Sequence, residues 1–181
     1  MSAAVSRSAT FRMIAAAACV TLSGCVSAPP SLDDLIGFSD PRHCEPDAAF
    51  SAILDGLVEL QAVDNGYIPV LKAPPVPTRF RDRVGRPELK VNGDEYRAVL
   101  PLRGAWRGLP LRSVAVVGWI ESEQGFILTF EADRAQVLAE ANQAGFGIPA
   151  SGSEYREGVV MGVNVGVGEH DGDATLYCIP G

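Results

Sequence analysis

Phe50, Ile53, Leu54 and Leu57 recur at i, i+3, i+4 and i+7, the spacing that lines up one face of an α-helix. The pattern predicts a first helix beginning at Pro46 or Asp47. Proline suits the first helical position, and Glu45 and Asp47 favour the positive end of the helix dipole. Asp64-Asn65-Gly66 closes that segment with turn chemistry. A second helix is predicted after Asp133, which is placed to cap it. Gln136 stands three residues on, as in a capping box, Val137, Leu138 and Ala141 mark the apolar side, and Gly145 provides a C-terminal stop.

Elsewhere the period is two. Tyr67 to Lys72 reads as a strand that Pro69 confines to an edge, followed by an extended loop, Ala73 to Thr78, with three prolines. Glu88–Val91 and Asp94–Leu102 flank Asn92-Gly93, which predicts a hairpin on a type I′ turn. Tyr96, Ala98, Leu100 and Leu102 alternate with Glu95, Arg97 and Val99, so one face of that strand is buried. Val114–Glu121 and Phe126–Phe130 form a further hairpin across Ser122–Gly125, with Trp119 expected in the core. Gly158–Gly168 alternates strictly: Val159, Met161, Val163, Val165 and Val167 share one face, while Gly158, Gly162, Gly166 and Gly168 leave the other nearly bare. A turn over Glu169–Asp173 leads to a last strand, Ala174–Ile179. Helices and hairpins in this order imply an α+β fold, a mostly antiparallel sheet of about six strands with two helices.

The first residues follow a different logic. Arg7 and Arg12 form a positive start, and Met13–Leu22 is an unbroken run of apolar and small residues. The run is too short for a membrane span, which takes roughly 20 residues, and it suits a signal peptide. It ends in Leu22-Ser23-Gly24-Cys25, which resembles a bacterial lipobox. The resemblance covers the leader alone. It implies cleavage before Cys25, lipidation of the Cys25 thiol, and anchorage without a membrane-spanning helix, since two or more acyl chains hold where one does not. Val26 stands where an aspartate would favour the inner membrane, which implies the outer membrane, facing the periplasm with surface display open. The expected organisation is a signal peptide (1–24), a lipidated N-terminus and tether (25–43), in which Leu32, Leu35 and Ile36 form a turn docking on the core, and one α+β periplasmic domain (44–181).

Removing residues 1–24 from 181 leaves 157, enough for one domain with a core. Cys19 goes with the leader and Cys25 takes the lipid, so Cys44 and Cys178 remain, in an oxidising compartment. A disulfide is their natural use, and a reactive thiol at Cys44 beside His43 is the rival. The leader carries two arginines and no acid, which takes the net charge from −7 to −9. That charge is segregated. Residues 72–112 hold ten basic and four acidic side chains, and both flanks are acidic. Either the bases pair with the flanks, or they meet an anionic envelope component or a periplasmic protein. Nucleic acid is excluded as a partner by the acidic total.

Arg103, Trp106 and Arg107 lie in a stretch read as the loop between two strands, and they are the candidate partner-binding residues, since Arg and Trp are favoured anchors. The alternative is a tryptophan folded back over the core. The bare glycine face implies close approach, by a helix packed over the sheet or by an extended ligand. Glu169-His170-Asp171-Gly172-Asp173 gathers metal-binding residue types, but Asp-Gly is itself turn chemistry, and neither a metal nor a cofactor is expected. Ser151-Gly152-Ser153 lacks nucleophile-elbow spacing and there is no phosphate-cradling loop, so no catalytic residue is assigned. The expected function is a lipid-anchored, non-catalytic envelope-binding or accessory module. A cell-wall or sugar hydrolase with unplaced carboxylates is the alternative.

Overall fold

The structure is a computed structural model that describes residues 29–120, 122–157 and 162–181. The leader, Cys25 and the glycine-strand residues 158–161 lie outside the described residues. In chain order the elements are β1 (Phe38–Asp40), β2 (Glu45–Pro46), α1 (Ala48–Asp55), β3 (Val58–Val63), β4 (Gly66–Leu71), β5 (Glu88–Asn92), β6 (Glu95–Trp106) and β7 (Leu109–Trp119). Then follow β8 (Gln124–Phe130), α2 (Arg134–Gln143), β9 (Ser153–Arg156), β10 (Val163–His170) and β11 (Asp173–Pro180). The fold is α+β, and among the described residues every strand pair is antiparallel.

The body is one seven-stranded sheet in the order β5-β6-β7-β8-β11-β10-β9, with β1-β2 and β3-β4 as separate two-stranded pairs. Register puts apolar side chains in continuous rows. Leu100 opposes Val114, then Leu128, Leu176 and Val167; Ala98 opposes Val116, then Phe126, Cys178 and Val165. All ten are buried in the hydrophobic core. Because side chains alternate along a strand, these rows define a single inner face. Helix α2 packs on β10 and β11 through Val137 and Ala141, and α1 reaches the sheet through Phe50, whose ring centroid is 5.5 Å from Phe38 and 5.4 Å from Phe126.

Local chemistry explains the helices. Asp47 caps α1 by accepting from the Phe50 amide at 2.9 Å. Asp133 and Gln136 complete a reciprocal capping box on α2. The Phe146 amide bonds Ala141 O and the Gly145 amide bonds Asn142 O, with Gly145 at φ +104°, which is a Schellman stop. Helix α1 starts at the Asp47 alternative, with Asp47 as its N-cap, and departs from expectation at its far end. Pro46 is in β2 rather than on the helix, and α1 stops at Gly56, well before Asp64. Val58–Val63 is instead β3, which folds back on β4. Its apolar residues alternate two by two, and the β-branched Val58 packs at the start of the strand.

One turn is shifted by a residue from expectation and two are tighter. The β5–β6 register pairs Asn92 with Glu95, so the loop is Gly93-Asp94, with positive φ at Gly93 alone. That matches a type II′ turn rather than the Asn-Gly type I′ turn. Arg107-Gly108 (φ 49° and 81°) and Asp171-Gly172 (φ 53° and 83°) do show the paired positive φ of type I′. Most of the stretch read as a loop around Trp106 is therefore strand, and the connection is only two residues.

The folded body also begins earlier than residue 44. Leu32, Leu35 and Ile36 are fully buried, the Leu32 amide donates to Ala105 O at 2.7 Å, and the Ala105 amide donates to Pro30 O at 2.8 Å. The chain from Pro30 onward is thus built into the sheet edge, and the turn expected to dock Leu32, Leu35 and Ile36 on the core does so. Arg156 ties the opposite side together. Its guanidinium binds Glu154, the carbonyl of Arg42, and Gly147 O at 3.2 Å.

Candidate recognition cleft

A cavity of about 470 Å³ opens at the end of the sheet where β8 starts and β11 finishes. Four segments distant in sequence meet there: the turn before β2, helix α1, the start of β8 and the start of β10. Its apolar wall is Leu54, Val116, Phe126 and Val163, together with the Cys44–Cys178 disulfide. Its polar lining carries Glu45, Asp55, Glu123 and Glu157 with His43 and, among the described residues, neither lysine nor arginine. A volume of this order, with apolar walls and a few polar groups, is typical of small-ligand and peptide side-chain sites.

The disulfide joins residues 134 apart, with Cα atoms 6.0 Å apart. Cys44 sits at φ 60°, a left-handed conformation that a non-glycine residue holds only where its surroundings fix it. Two restraints do so: the disulfide and the bond from the Cys44 amide to Pro41 O at 3.1 Å. Just before it, Asp40 accepts from the Arg42 and His43 amides at 3.1 and 3.3 Å, and its other oxygen meets His43 Nδ1 at 2.7 Å. The hydrogen bond from His43 is the main cause holding the Asp40 carboxyl below its ordinary value of 3.8. Across the cleft, Gly125 lets β8 close on β11. A Cβ there would fall 2.7 Å from Ile179 Cα, which backbone cannot vacate cheaply.

Ser51 also lines the cleft, but its hydroxyl donates to Asp55 Oδ2 at 3.2 Å, whereas His43 is engaged by Asp40. Serine and imidazole are therefore held by different carboxylates rather than by each other. The rival reading of Cys44 as a free thiol beside His43 is corrected by the disulfide itself.

The three candidate partner-binding residues are not brought together as a surface. Trp106 is 2% exposed, donates from Nε1 to Ile36 O at 3.0 Å, and packs against Phe38 and Phe130. It is the tryptophan that folds back over the core. Arg103 is exposed, while the Arg107 amide donates to Asp33 Oδ1 at 2.6 Å and its guanidinium stands 3.6 Å from Glu140. Trp119, expected in the core, is 39% exposed, and its Nε1 donates to Glu95 at 3.1 Å.

Four of the ten basic side chains of the middle segment meet the acidic flanks. Lys72 pairs with Glu59, Arg79 with Asp34, Arg107 with Glu140, and Arg112 with Glu131 and Asp173. In the 169–173 stretch, Asp171-Gly172 makes the β10–β11 turn, and Asp173 serves Arg112 at 2.8 Å.

No protein-family model matches the chain, and no curated protein or solved structure is significantly similar to it. Function is therefore read from the chain's own residues and geometry.

Proposed function

We propose that the chain is a lipid-anchored lipoprotein of the outer membrane, facing the periplasm, whose body is a non-catalytic envelope-binding module with the acidic cleft as its recognition site. The lipobox-like Leu22-Ser23-Gly24-Cys25 supports the anchor. The Cys44–Cys178 disulfide fits an oxidising compartment. The observation that carries the binding reading is the cleft lining: four carboxylates and, among the described residues, neither lysine nor arginine, around apolar walls. That lining suits a cationic group with an apolar portion, such as a Lys- or Arg-bearing segment of a periplasmic protein.

A benzophenone amino acid at Gln124 tests this in intact cells. Irradiation should capture one protein through a basic segment, identified by mass spectrometry. Capture should fall steeply when Glu45 and Glu123 are both changed to Gln. Undiminished capture in that variant would remove the cleft from the proposal. Intact mass of the mature N-terminus tests the anchor separately.

Four carboxylates around one cleft also keep a hydrolase of cell-wall or sugar polymers as a second reading, since paired carboxylates cleave glycosidic bonds. Release of soluble fragments from purified wall, abolished by Glu123→Gln or Asp55→Asn, would favour it over binding.

A further inference from the structure

Where the anchored segment joins the body fixes which end of the molecule meets the membrane. Pro30 and Leu32 exchange backbone hydrogen bonds with Ala105, and Ser31 bridges Ala105 in parallel. Ala105 lies one residue before Trp106, which pairs with Leu109 to close the β6–β7 hairpin. The chain therefore enters the body at the hairpin end of the sheet. Leu32 is fully buried there, and Gly104 lets the segment approach, because a Cβ would fall 2.6 Å from Pro30 O.

Only Val26–Pro29 separate Cys25 from this fixed point. Fully extended, that link reaches roughly 17 Å at about 3.4 Å per residue. The cleft lies toward the other end. Gln124 pairs with Gly118, at the far end of β7 from Leu109, and Pro180 ends β11 on the same side. Strand rise puts that end about 30 Å from the hairpin. The link is too short to let the body turn over freely at a bilayer surface. The acidic total also repels the body from anionic headgroups, so the link is drawn straight and its exit stays lowest. Arg103, two residues from Ala105, is exposed and has no ion-pair partner among the described residues, which leaves a cation beside the exit for lipid phosphate.

We propose that the acylated protein stands on the membrane by its β6–β7 hairpin end, with Arg103 against the headgroups and the cleft opening away from the bilayer toward soluble or wall-bound partners. This rests on acylation of Cys25. The test is lipid crosslinking in native membranes from a benzophenone amino acid at Arg103 or at Glu123, with intact mass reporting acylation in each sample. Lipid adducts should form several-fold more from position 103. A flexible Gly-Ser insertion of about 20 residues before Pro29 should bring the two positions closer to equal, because it restores free tumbling. Equal or greater capture from position 123 in an acylated, uninserted protein overturns the orientation alone, as does capture at 103 that the insertion leaves unchanged. An unacylated Cys25 overturns the anchor and the orientation together.

Discussion

Tyr177 lies across Gly166 of the neighbouring strand, so that a Cβ on Gly166 would fall 2.6 Å from Tyr177 Cζ and 2.7 Å from Ser153 Cβ. The bare glycine face of β10 is thus closed by aromatic rings from adjacent strands, with Tyr155 covering Gly162 in the same way. The helix expected over the glycines is on the opposite face, where Val137 and Ala141 share the core with Val165 and Val167. Glycine is needed at position 166 because β11 has placed a ring where a side chain would stand. Gly166→Ala should destabilise the fold by about 1–3 kcal/mol, the usual cost of overpacking. Urea unfolding checks it, and adding Tyr177→Ala should shrink the effect of the alanine. A full-sized effect without the ring would mean that strand backbone, not Tyr177, sets the limit.

The two tryptophans exchange the roles that their surroundings in sequence suggest. Trp106, between two arginines, is in the core, and Trp119, in an apolar run, is partly exposed. Trp106→Ala should cost about 3–5 kcal/mol, as for large core truncations. Acrylamide quenching separates the two indoles. With Trp119 replaced by Phe, the remaining emission should be blue-shifted and poorly quenched. With Trp106 replaced by Phe, it should be red-shifted and readily quenched. The reverse result would place Trp106 at the surface and revive it as a partner contact.

This exchange shows where local pattern stops being informative. Helix α2 was legible because its capping box and glycine stop are written within a dozen residues. The strict alternation of Tyr96 to Leu102 likewise showed the buried face of β6. In β7 nearly every residue is apolar, so alternation cannot tell Val116 on the inner face from Trp119 on the outer. Strand β3 was hidden because Leu57 completes the helical spacing of α1 although the helix has already ended. The cleft was the least legible feature. Glu45, Asp55, Glu123 and Glu157 are unremarkable singly and come from β2, α1, the start of β8 and the end of β9, which only the strand pairings and the Cys44–Cys178 bond bring to one place.

The Cys44–Cys178 bond closes a loop of 134 residues, and chain entropy alone assigns such a loop about 5 kcal/mol. A reductant, or Cys178→Ser, should lower the urea midpoint accordingly. Because Cys44 is part of the cleft wall and held in a left-handed conformation, the reduced protein should also lose crosslinking from Gln124 before global unfolding. Retained capture in a reduced, still folded protein would show that the cleft keeps its shape without the bond.

Tyr96 is 3% exposed, and among the described residues its hydroxyl has no partner at hydrogen-bond geometry. Burial raises its pKa above the ordinary 10.0, with the nearby Gln124 amide opposing part of the effect. A buried hydroxyl without a partner forfeits about 1–3 kcal/mol of hydration, so Tyr96→Phe should leave stability unchanged or raise it. Thermal unfolding of the variant checks the sign. A clear loss of stability would mean that the hydroxyl finds a partner in solution.

Asp40 makes stability on the acid side depend on its own protonation. Its carboxyl is held below 3.8 in the folded state, first by the hydrogen bond from His43 and further by the His43 and Arg42 amides. A folded-state pKa below the unfolded one means that the carboxylate favours folding above the unfolded value. That contribution then fades as pH falls through the folded value. Asn in place of Asp keeps a capping oxygen but not the charge. Asp40→Asn should therefore be less stable than the parent near neutral pH, and the two should converge in acid once the parent carboxyl is protonated. Urea midpoints at both pH values, with an NMR titration of the Asp40 carboxyl, measure this. Because His43 lines the cleft, the variant should also weaken capture from Gln124 at neutral pH, where the imidazole loses the carboxylate that fixes it. A stability gap of the same size at both pH values would assign the effect to geometry and not to charge.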